Sequence, residues 1–491
     1  MSMKKNGTGK NTVIIKRLNA AHGQNGFDDF IPLRGDLLKE VHAAVTEIFD
    51  SLGGASLLKS SGDVYIKPNG VGADPYVYTR PEVLEAAIRY WRKAGARKIF
   101  IIENSSQGNY TRLVFEMIGY SKVCRENGAI PVYLDEEKTV SFNFTGKGPA
   151  TDRDPRGYEL TTFGMPKTVA EKLIRDKGKN LYINIPKLKT HTLSVVSLGI
   201  KNQWGFPPHG DRCLDHNYNL HSKIAGLLDH VRPDVTLIEG VEGTIHGHYP
   251  LRSMSNKCVR PFKVLAGGLN VVAVDIVGAR MFGLGVGDIP HLRIAVDRGF
   301  GNGVERDEDI RLTGDYEDIN NIDILNELPE YGGKYPSEMH PSLPHDVTVI
   351  KGREMACLEG CYGNSIGILQ YLAFDYGGKG GWTLIAGKGF DAGAIAAVKG
   401  PVMVAGRCAI QEVGDALLKR LGKRNVYLSG ECNDITASLE AMVHLMKVNM
   451  FRYTSRTSLN PLKALWLILQ AKLHGSHGRQ VNPACLVFKM R

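Results

Sequence analysis

Four cysteines near the C-terminus, Cys357, Cys361, Cys408 and Cys432, are the first residues whose type and spacing point to chemistry. Cys357 and Cys361 lie one helical turn or one tight loop apart, while Cys408 and Cys432 each follow a β-rich run, in Ala405-Gly-Arg-Cys408 and Ser429-Gly-Glu-Cys432. Runs of that kind in a parallel sheet end on one edge, which would gather the thiolates. The neighbouring glycines permit close backbone approach, and their amides can donate to sulfur. Three states fit such a set: ligation of an iron–sulfur cluster, a structural zinc site, or burial as ordinary core cysteines. Zinc generally uses two Cys-x-x-Cys pairs, which are absent here. Cys124, Cys213, Cys258 and Cys485 stand alone and read as small buried hydrophobes.

A second concentration of chemistry lies upstream. Lys187, Lys189, His191, Lys201, Asn202, His209, His216, His221, His230, His246 and His248 put seven of the fifteen histidines into one segment. Clustered histidine suits acid–base work or a transition metal, so a second metal ion at these histidines is one expectation. Clustered lysine with asparagine suits a carboxylate or phosphate. No closed zinc spacing and no His-Glu-x-x-His helix is present.

These side chains need elements to hold them. Strand patterns occur at 12–16, 63–67, 98–102, 130–134, 180–185, 234–239 and 263–266, with helical patterns at 36–49, 81–93, 169–175, 220–230 and 272–281 between them. The alternation predicts an α/β fold, a mostly parallel sheet flanked by helices. The expected organisation is a disordered tail over 1–11, a main domain over 12–300, a linker or insertion over 301–345, a small cysteine-bearing α/β lobe over 346–445, and a basic tail over 446–491. In open parallel sheets ligands sit beyond the carboxyl ends of the strands. Four such ends carry Lys67-Pro-Asn-Gly70, Glu103-Asn-Ser-Ser106, Lys187-Leu-Lys-Thr-His191 and Glu239-Gly-Val-Glu242.

Composition narrows the classes. With 43% hydrophobic and 23% charged residues the chain is neither disordered, coiled-coil nor collagenous. No uninterrupted apolar run reaches membrane-spanning length, and the first ten residues resemble neither a signal nor a transit peptide, so a cytoplasmic location is expected. The net charge is +10, but the stretch from Met446 onward holds eight Lys/Arg and no Asp or Glu, which leaves the body nearly neutral and argues against a nucleic-acid groove. In that tail Asn460 can cap a helix with Pro461 in its first turn. Leu462, Leu465, Trp466, Leu469 and Leu473 share one face of it. The stripe predicts a helix docked on the protein's own core or, alternatively, a reversible contact with an anionic membrane surface or an acidic redox partner.

The run Tyr182-Ile-Asn-Ile-Pro-Lys-Leu-Lys-Thr-His191, followed by Leu198-Gly-Ile-Lys-Asn-Gln-Trp-Gly205 and His221, resembles the signature of the family catalogued as domain of unknown function 362. Ile66-Lys-Pro-Asn69, Thr79-Arg-Pro81, Ala94-Gly-Ala-Arg97, Ile238-Glu-Gly240 and Val274-Asp275 extend the resemblance over roughly residues 12 to 290, with Glu239 where the family usually has Asp. The resemblance implies a shared site more than a particular reaction. It also implies an association with iron–sulfur clusters, commonly through ferredoxin modules. This chain lacks a ferredoxin-type cysteine run, so one 4Fe-4S cluster would rest on Cys357, Cys361, Cys408 and Cys432.

The function expected is that of an iron–sulfur oxidoreductase acting on a small anionic substrate in a crevice between lobes. Lys67, Lys187, Lys189 and Lys201 would hold its charge, and His191 would transfer a proton. Glu239 and Glu242 would orient or balance the site, with Asn69, Thr190, Asn202 and His221 also binding. The alternatives are a metal-dependent isomerase resembling lactate racemase at the level of fold, and a non-catalytic cluster carrier that docks through its tail.

Overall fold

The computed structural model describes residues 9–21, 30–143, 162–217, 219–245, 247–252, 255–317, 343–344, 346–448, 459–487 and 489. Thirteen strands belong to the first lobe: β1 (Thr12–Arg17), β2 (Asp63–Pro68), β3 (Lys98–Glu103), β4 (Ile130–Tyr133), β5 (Thr139–Asn143), β6 (Thr162–Pro166), β7 (Leu181–Ile185), β8 (Lys187–His191), β9 (Val195–Val196), β10 (Val235–Thr244), β11 (Val259–Arg260), β12 (Val264–Gly268) and β13 (Arg311–Gly314). The main sheet runs β13-β1-β12-β10-β7-β2-β3-β4, and only β12 on this path lies antiparallel to its neighbours. The chain is α/β with a mostly parallel sheet. One buried apolar cluster lies around Leu198, Ile238 and Val274, and another around Ile48, Trp91 and Leu237, so both faces of the sheet are covered.

Local chemistry explains the helices that matter to the site. The helix Pro81–Lys93 opens with Pro at its first position and Glu82 in its first turn, then buries Val83, Leu84, Ala87, Ile88 and Trp91. Helix Val271–Arg280 is capped by the Asn270 side chain, which accepts from Val272 N, and it is buried on nearly every side.

Two departures from the sequence reading shape the site. The segment Lys187–His191, expected as a loop, is a strand: Pro186 ends β7, and the chain passes from pairing with β2 to pairing with β10 as β8. In turn, β10 runs ten residues, through Glu239 and Glu242 to Thr244. Glycines make the close approach possible, because a Cβ on Gly243 would stand 2.6 Å from the Phe262 ring and 2.8 Å from the Leu188 carbonyl. The pairing sets Lys187 opposite Glu239.

The second lobe is a four-stranded parallel sheet, β14 (Val347–Lys351), β15 (Trp382–Ala386), β16 (Val402–Ala405) and β17 (Val426–Leu428), in sequential order. Helix Cys361–Tyr376 packs on one face and residues around Val413 and Leu417 on the other. Residues 311–314, within the expected linker, instead supply β13 to the first lobe, and 318–342 lie outside the described residues. So does most of the expected N-terminal tail.

The tail helix forms as Pro461–Leu473, capped by Asn460, but the expected core-facing stripe is reversed. Leu467 and Ala471, with Ala464 and Ile468 beside them, pack against Tyr110 and Leu113. Leu462, Leu465, Trp466, Leu469 and Leu473 face outward. Apolar residues stand on both sides of the helix, so periodicity alone did not select the docking face. Among the described residues no helix is long and apolar enough to cross a membrane.

Replacing Gly243 with Ala should lower unfolding stability by about 1–3 kcal/mol, the usual range for overpacking. Urea denaturation measures the loss, and hydrogen exchange should show the amides of 187–191 opening first.

Candidate functional site: a cationic crevice beside the cysteine lobe

The strand ends deliver a dense, buried polar cluster. At its base the Lys187 ammonium donates to both Glu239 carboxylate oxygens at 2.9 and 2.8 Å, and reaches Glu242 Oε2 at 3.3 Å. The Arg80 guanidinium clasps Glu242, with Nε at 2.9 and 2.8 Å from the two oxygens, and Arg80 N donates to Glu239 Oε2 at 3.0 Å. All four side chains are essentially without solvent contact. Two cations face two carboxylates, with Glu82 at the edge 3.7 Å from Arg80 Nη1, and the charges of Lys187, Glu239 and Glu242, expected to face a substrate, are directed at one another and at Arg80. Arg80 lies in the Thr79-Arg-Pro81 motif, yet its partners are some 160 positions away in sequence.

A second buried pair sits at the ends of β2 and β3. Lys67 Nζ donates to Glu103 Oε1 at 2.8 Å, and the same carboxylate accepts from Gly70 N and Asn104 N at 2.7 and 2.9 Å. A chain of amides joins this pair to the centre: Asn69 Nδ2 donates to Asn202 Oδ1 at 3.0 Å, and Asn202 Nδ2 donates to Asn184 Oδ1 at 2.7 Å. Lys189 Nζ donates to Asn69 Oδ1 at 3.3 Å and to the Val77 carbonyl. Burial, then Lys201 and Lys187, holds the Lys189 amine well below its ordinary pKa.

Lys201 differs from every other lysine of the cluster. It lies on the short helix Gly199–Asn202, whose Gly199 and Ile200 amides are anchored by Asp275 at 2.7 and 2.8 Å. Burial pushes the Asp275 carboxyl up to about 7 despite those two donors. The Lys201 side chain is half-buried and makes no hydrogen bond or ion pair with the described residues. Its pKa is pushed down to about 7 by burial first, then by the positive charges of Arg212 and Lys67. Its field reaches Lys189, His191, His216, His248 and His291. An amine so placed is part free base near neutrality.

Two of the histidines around it, His191 and His216, are held in defined tautomers by backbone groups. His191 Nδ1 accepts from Leu193 N at 3.1 Å and Ser194 N at 3.3 Å, which places the ring proton on Nε2. Nε2 is therefore the donor atom of the His191 ring. Its ring stacks on His248 at 3.7 Å. Thr190 Oγ1 accepts from Gly247 N at 2.9 Å and so fixes the loop that carries His248; His246 lies outside the described residues. His216 has the opposite arrangement: its Nδ1 donates to the Glu359 carbonyl, leaving the Nε2 lone pair unprotonated. Burial and then Lys201 push the His216 pKa down to about 3, so the ring stays neutral. His221 Nδ1 lies 3.2 Å from His291 Nδ1, and its Nε2 lies 4.0 Å from Glu359 Oε1. His209 Nε2 and Arg212 Nη2 both donate to the Ser105 carbonyl, at 3.1 and 2.9 Å. His230 is elsewhere, bonded to the Asn143 carbonyl at 2.8 Å.

The cysteine lobe closes one side of this crevice. Gly360, between Cys357 and Cys361, sits so near His216 that a Cβ there would stand 2.7 Å from the His216 carbonyl and 3.2 Å from Cys357 Cβ. Cys361 opens the helix Cys361–Tyr376, and Cys408 and Cys432 follow β16 and β17. Gly406, with φ at +86°, lies over Cys361: a Cβ would come within 2.7 Å of its sulfur and 4.0 Å of Cys432 Cα. Burial pushes the Cys361 thiol up to about 12, with Cys432 and Cys408 adding to the shift, and the Cys432 thiol rises for the same reasons. Three thiols thus share one electrostatic neighbourhood, with the Tyr362 amide favouring the thiolate of Cys361 and the Arg407 amide that of Cys432. Cys357 is buried in the turn before them. Among the described residues no three His, Cys, Asp or Glu side chains form a ready-made metal-ligand set. The donor chemistry and the glycine cradle suit a bulky sulfur-bound group at Cys361, Cys408 and Cys432, with Cys357 the adjoining fourth thiol.

Arg80, Glu103, Asn184, Arg212 and Asp275 were not singled out as site residues in the sequence, although Arg80, Glu103, Asn184 and Asp275 fall inside its motifs. Only Glu103, at the end of β3, stood where a strand-end signal could have marked it; Arg80, Asn184, Arg212 and Asp275 lie at a helix start, inside a strand and on two helices.

A family model described as "Domain of unknown function (DUF362)" matches residues 64–280. A thylakoid-associated protein of Synechocystis is 26% identical over 264 residues, covering 50% of this chain and 72% of that protein. No solved structure matches.

Lys187→Met should cost about 3–5 kcal/mol, because it leaves buried carboxylates uncompensated. Lys201→Met should cost nothing and should stabilise. Its folded pKa lies below the unfolded one, so the buried ammonium is a penalty that is full below about pH 7 and disappears as pH rises toward 10.5. Urea midpoints at pH 6 and pH 9 for both variants test this; a large loss on removing Lys201 would make it a structural partner.

Proposed function

We propose that the chain, which matches the DUF362 family model over residues 64–280, is an iron–sulfur protein that binds a small anionic substrate at Lys201 for oxidation or reduction. The observation that carries this reading is the position of His216. It lies within the field of Lys201, its ring donates to the Glu359 carbonyl in the turn between Cys357 and Cys361, and its own carbonyl lies against Gly360. The anion crevice and the thiols are therefore neighbours.

The residues divide the work. Lys201, the amine without an internal partner, meets the anion, and Lys189, Arg212 and Lys67 add positive potential behind it. His191 donates from Nε2 to a substrate oxygen. Lys201, with a pKa near neutrality, takes up or releases a proton as the substrate changes charge. Asn69 and Asn202 hold the Lys189 amine in place, while Thr190 holds the His248 loop. The Lys187–Glu239–Glu242–Arg80 network keeps the floor rigid. A cluster held by Cys361, Cys408, Cys432 and Cys357 would supply single electrons.

Protein purified without oxygen should contain about four irons and four acid-labile sulfides per chain, lost in Cys408→Ser/Cys432→Ser. Zinc alone, or no metal, would overturn the redox part. Independently, inorganic phosphate or citrate should raise the melting temperature of the native chain and should fail to do so in Lys201→Met. Equal stabilisation of both would remove Lys201 from the site.

A further inference from the structure

We propose that the helix Pro461–Leu473 is a docking element for an anionic lipid surface, lying in the plane of the membrane with Leu462, Leu465, Trp466, Leu469 and Leu473 immersed. The first observation is exposure. Leu462 is 77% exposed, Leu473 74% and Trp466 55%, and the five residues fall at positions i, i+3, i+4, i+7 and i+11, along one side of the helix. Single exposed leucines are normal on a protein surface, whereas a continuous stripe of five large apolar side chains marks an interaction site.

The second observation is that the opposite side is already occupied. Leu467 and Ala471 are buried against Tyr110 and Leu113, and Lys463 ion-pairs with Glu116. The helix is clamped to the first lobe in one orientation, so the outward stripe is presented rather than left over from loose packing. At thirteen residues the helix is about 20 Å long, too short to span a bilayer and suited to lie within its interface.

Charge selects the occupant. From Met446 to Arg491 there are eight Lys/Arg and no Asp or Glu. Lys463 and Arg479 are engaged by Glu116 and Glu440, while Lys472 stands exposed beside Leu469 and Leu473. Two copies meeting through this face would set one acid-free, cationic tail against another, so a second copy is disfavoured. An anionic bilayer offers what the stripe lacks: apolar depth for the leucines, a headgroup zone for the indole, and negative charge for the lysines.

The test uses the full-length protein and vesicles of phosphatidylglycerol and phosphatidylcholine in equal parts, compared with phosphatidylcholine alone. The protein should float with the anionic vesicles, and Leu465→Ser/Leu469→Ser should weaken this by roughly tenfold or more, from the lost transfer of two leucines. Both positions are exposed, so the fold should survive. Trp466 is the only exposed tryptophan, since Trp91, Trp204 and Trp382 are buried. Brominated lipid should therefore quench fluorescence in the native chain and spare Trp466→Phe, which should still float. Absence of binding to anionic vesicles at low salt would overturn the proposal, as would binding indifferent to the two serines or equal binding to phosphatidylcholine alone. A dimer that the same serines dissociate would overturn it in favour of a second copy.

Discussion

The buried ion network beneath the crevice is the constraint on which the rest of the structure depends. Lys187, Glu239, Glu242 and Arg80 come from three elements of distant sequence, and none of them has water to solvate it. Isolated charges of this kind are prohibitive in a protein interior, whereas the balanced set is tolerable because every charge is hydrogen-bonded to an opposite one. The glycines of β10 let β8 approach closely enough to form the network, and the network in turn fixes the register of β8. Lys189, Thr190 and His191 follow on the same strand and inherit their positions from it.

With the floor neutralised, the lysines above it define an excess of positive potential. Lys67 is answered by Glu103, and Lys189 by an amide and a carbonyl, but Lys201 is answered by nothing among the described residues. A fold selected for stability alone would gain by replacing it with an apolar side chain. A half-buried amine is kept instead, within the field of His216 and the turn between Cys357 and Cys361, where the proposed anion would meet it.

Much of the architecture was legible in the sequence because it depends on local pattern. Proline at the start of 81–93, and apolar runs at 382–386 and 402–405 bounded by glycine and proline, announce their elements almost to the residue. Among the side chains just past the strands were Lys67, Glu103, Lys187 and Glu239, which the fold pairs with one another in its interior. What sequence could not convey was partnership. Nothing local distinguishes Lys187, whose charge is consumed by Glu239, from Lys201 a short distance on, because the difference lies in strand pairing across many positions. Likewise His191 and His216 carry opposite tautomers imposed by backbone groups that only the folded turns bring near. The tail helix shows the remaining ambiguity: two apolar faces, and no rule in thirteen residues for choosing between them.

The single reversed strand, β12, has a consequence for how this domain can be handled. Its outer edge is satisfied by β1, and β1 by β13, yet both covering strands lie outside residues 64–280. A fragment cut at the limits of the family match would carry β12 with one row of amides and carbonyls unpaired, next to hydrophobic side chains that helix Gly35–Ser51 no longer shields. Such an edge recruits further strands from other molecules, so the excised segment would self-associate into aggregates rather than yield a monomer. The smallest soluble unit of the first lobe must therefore retain its flanks from Thr12 to Gly314.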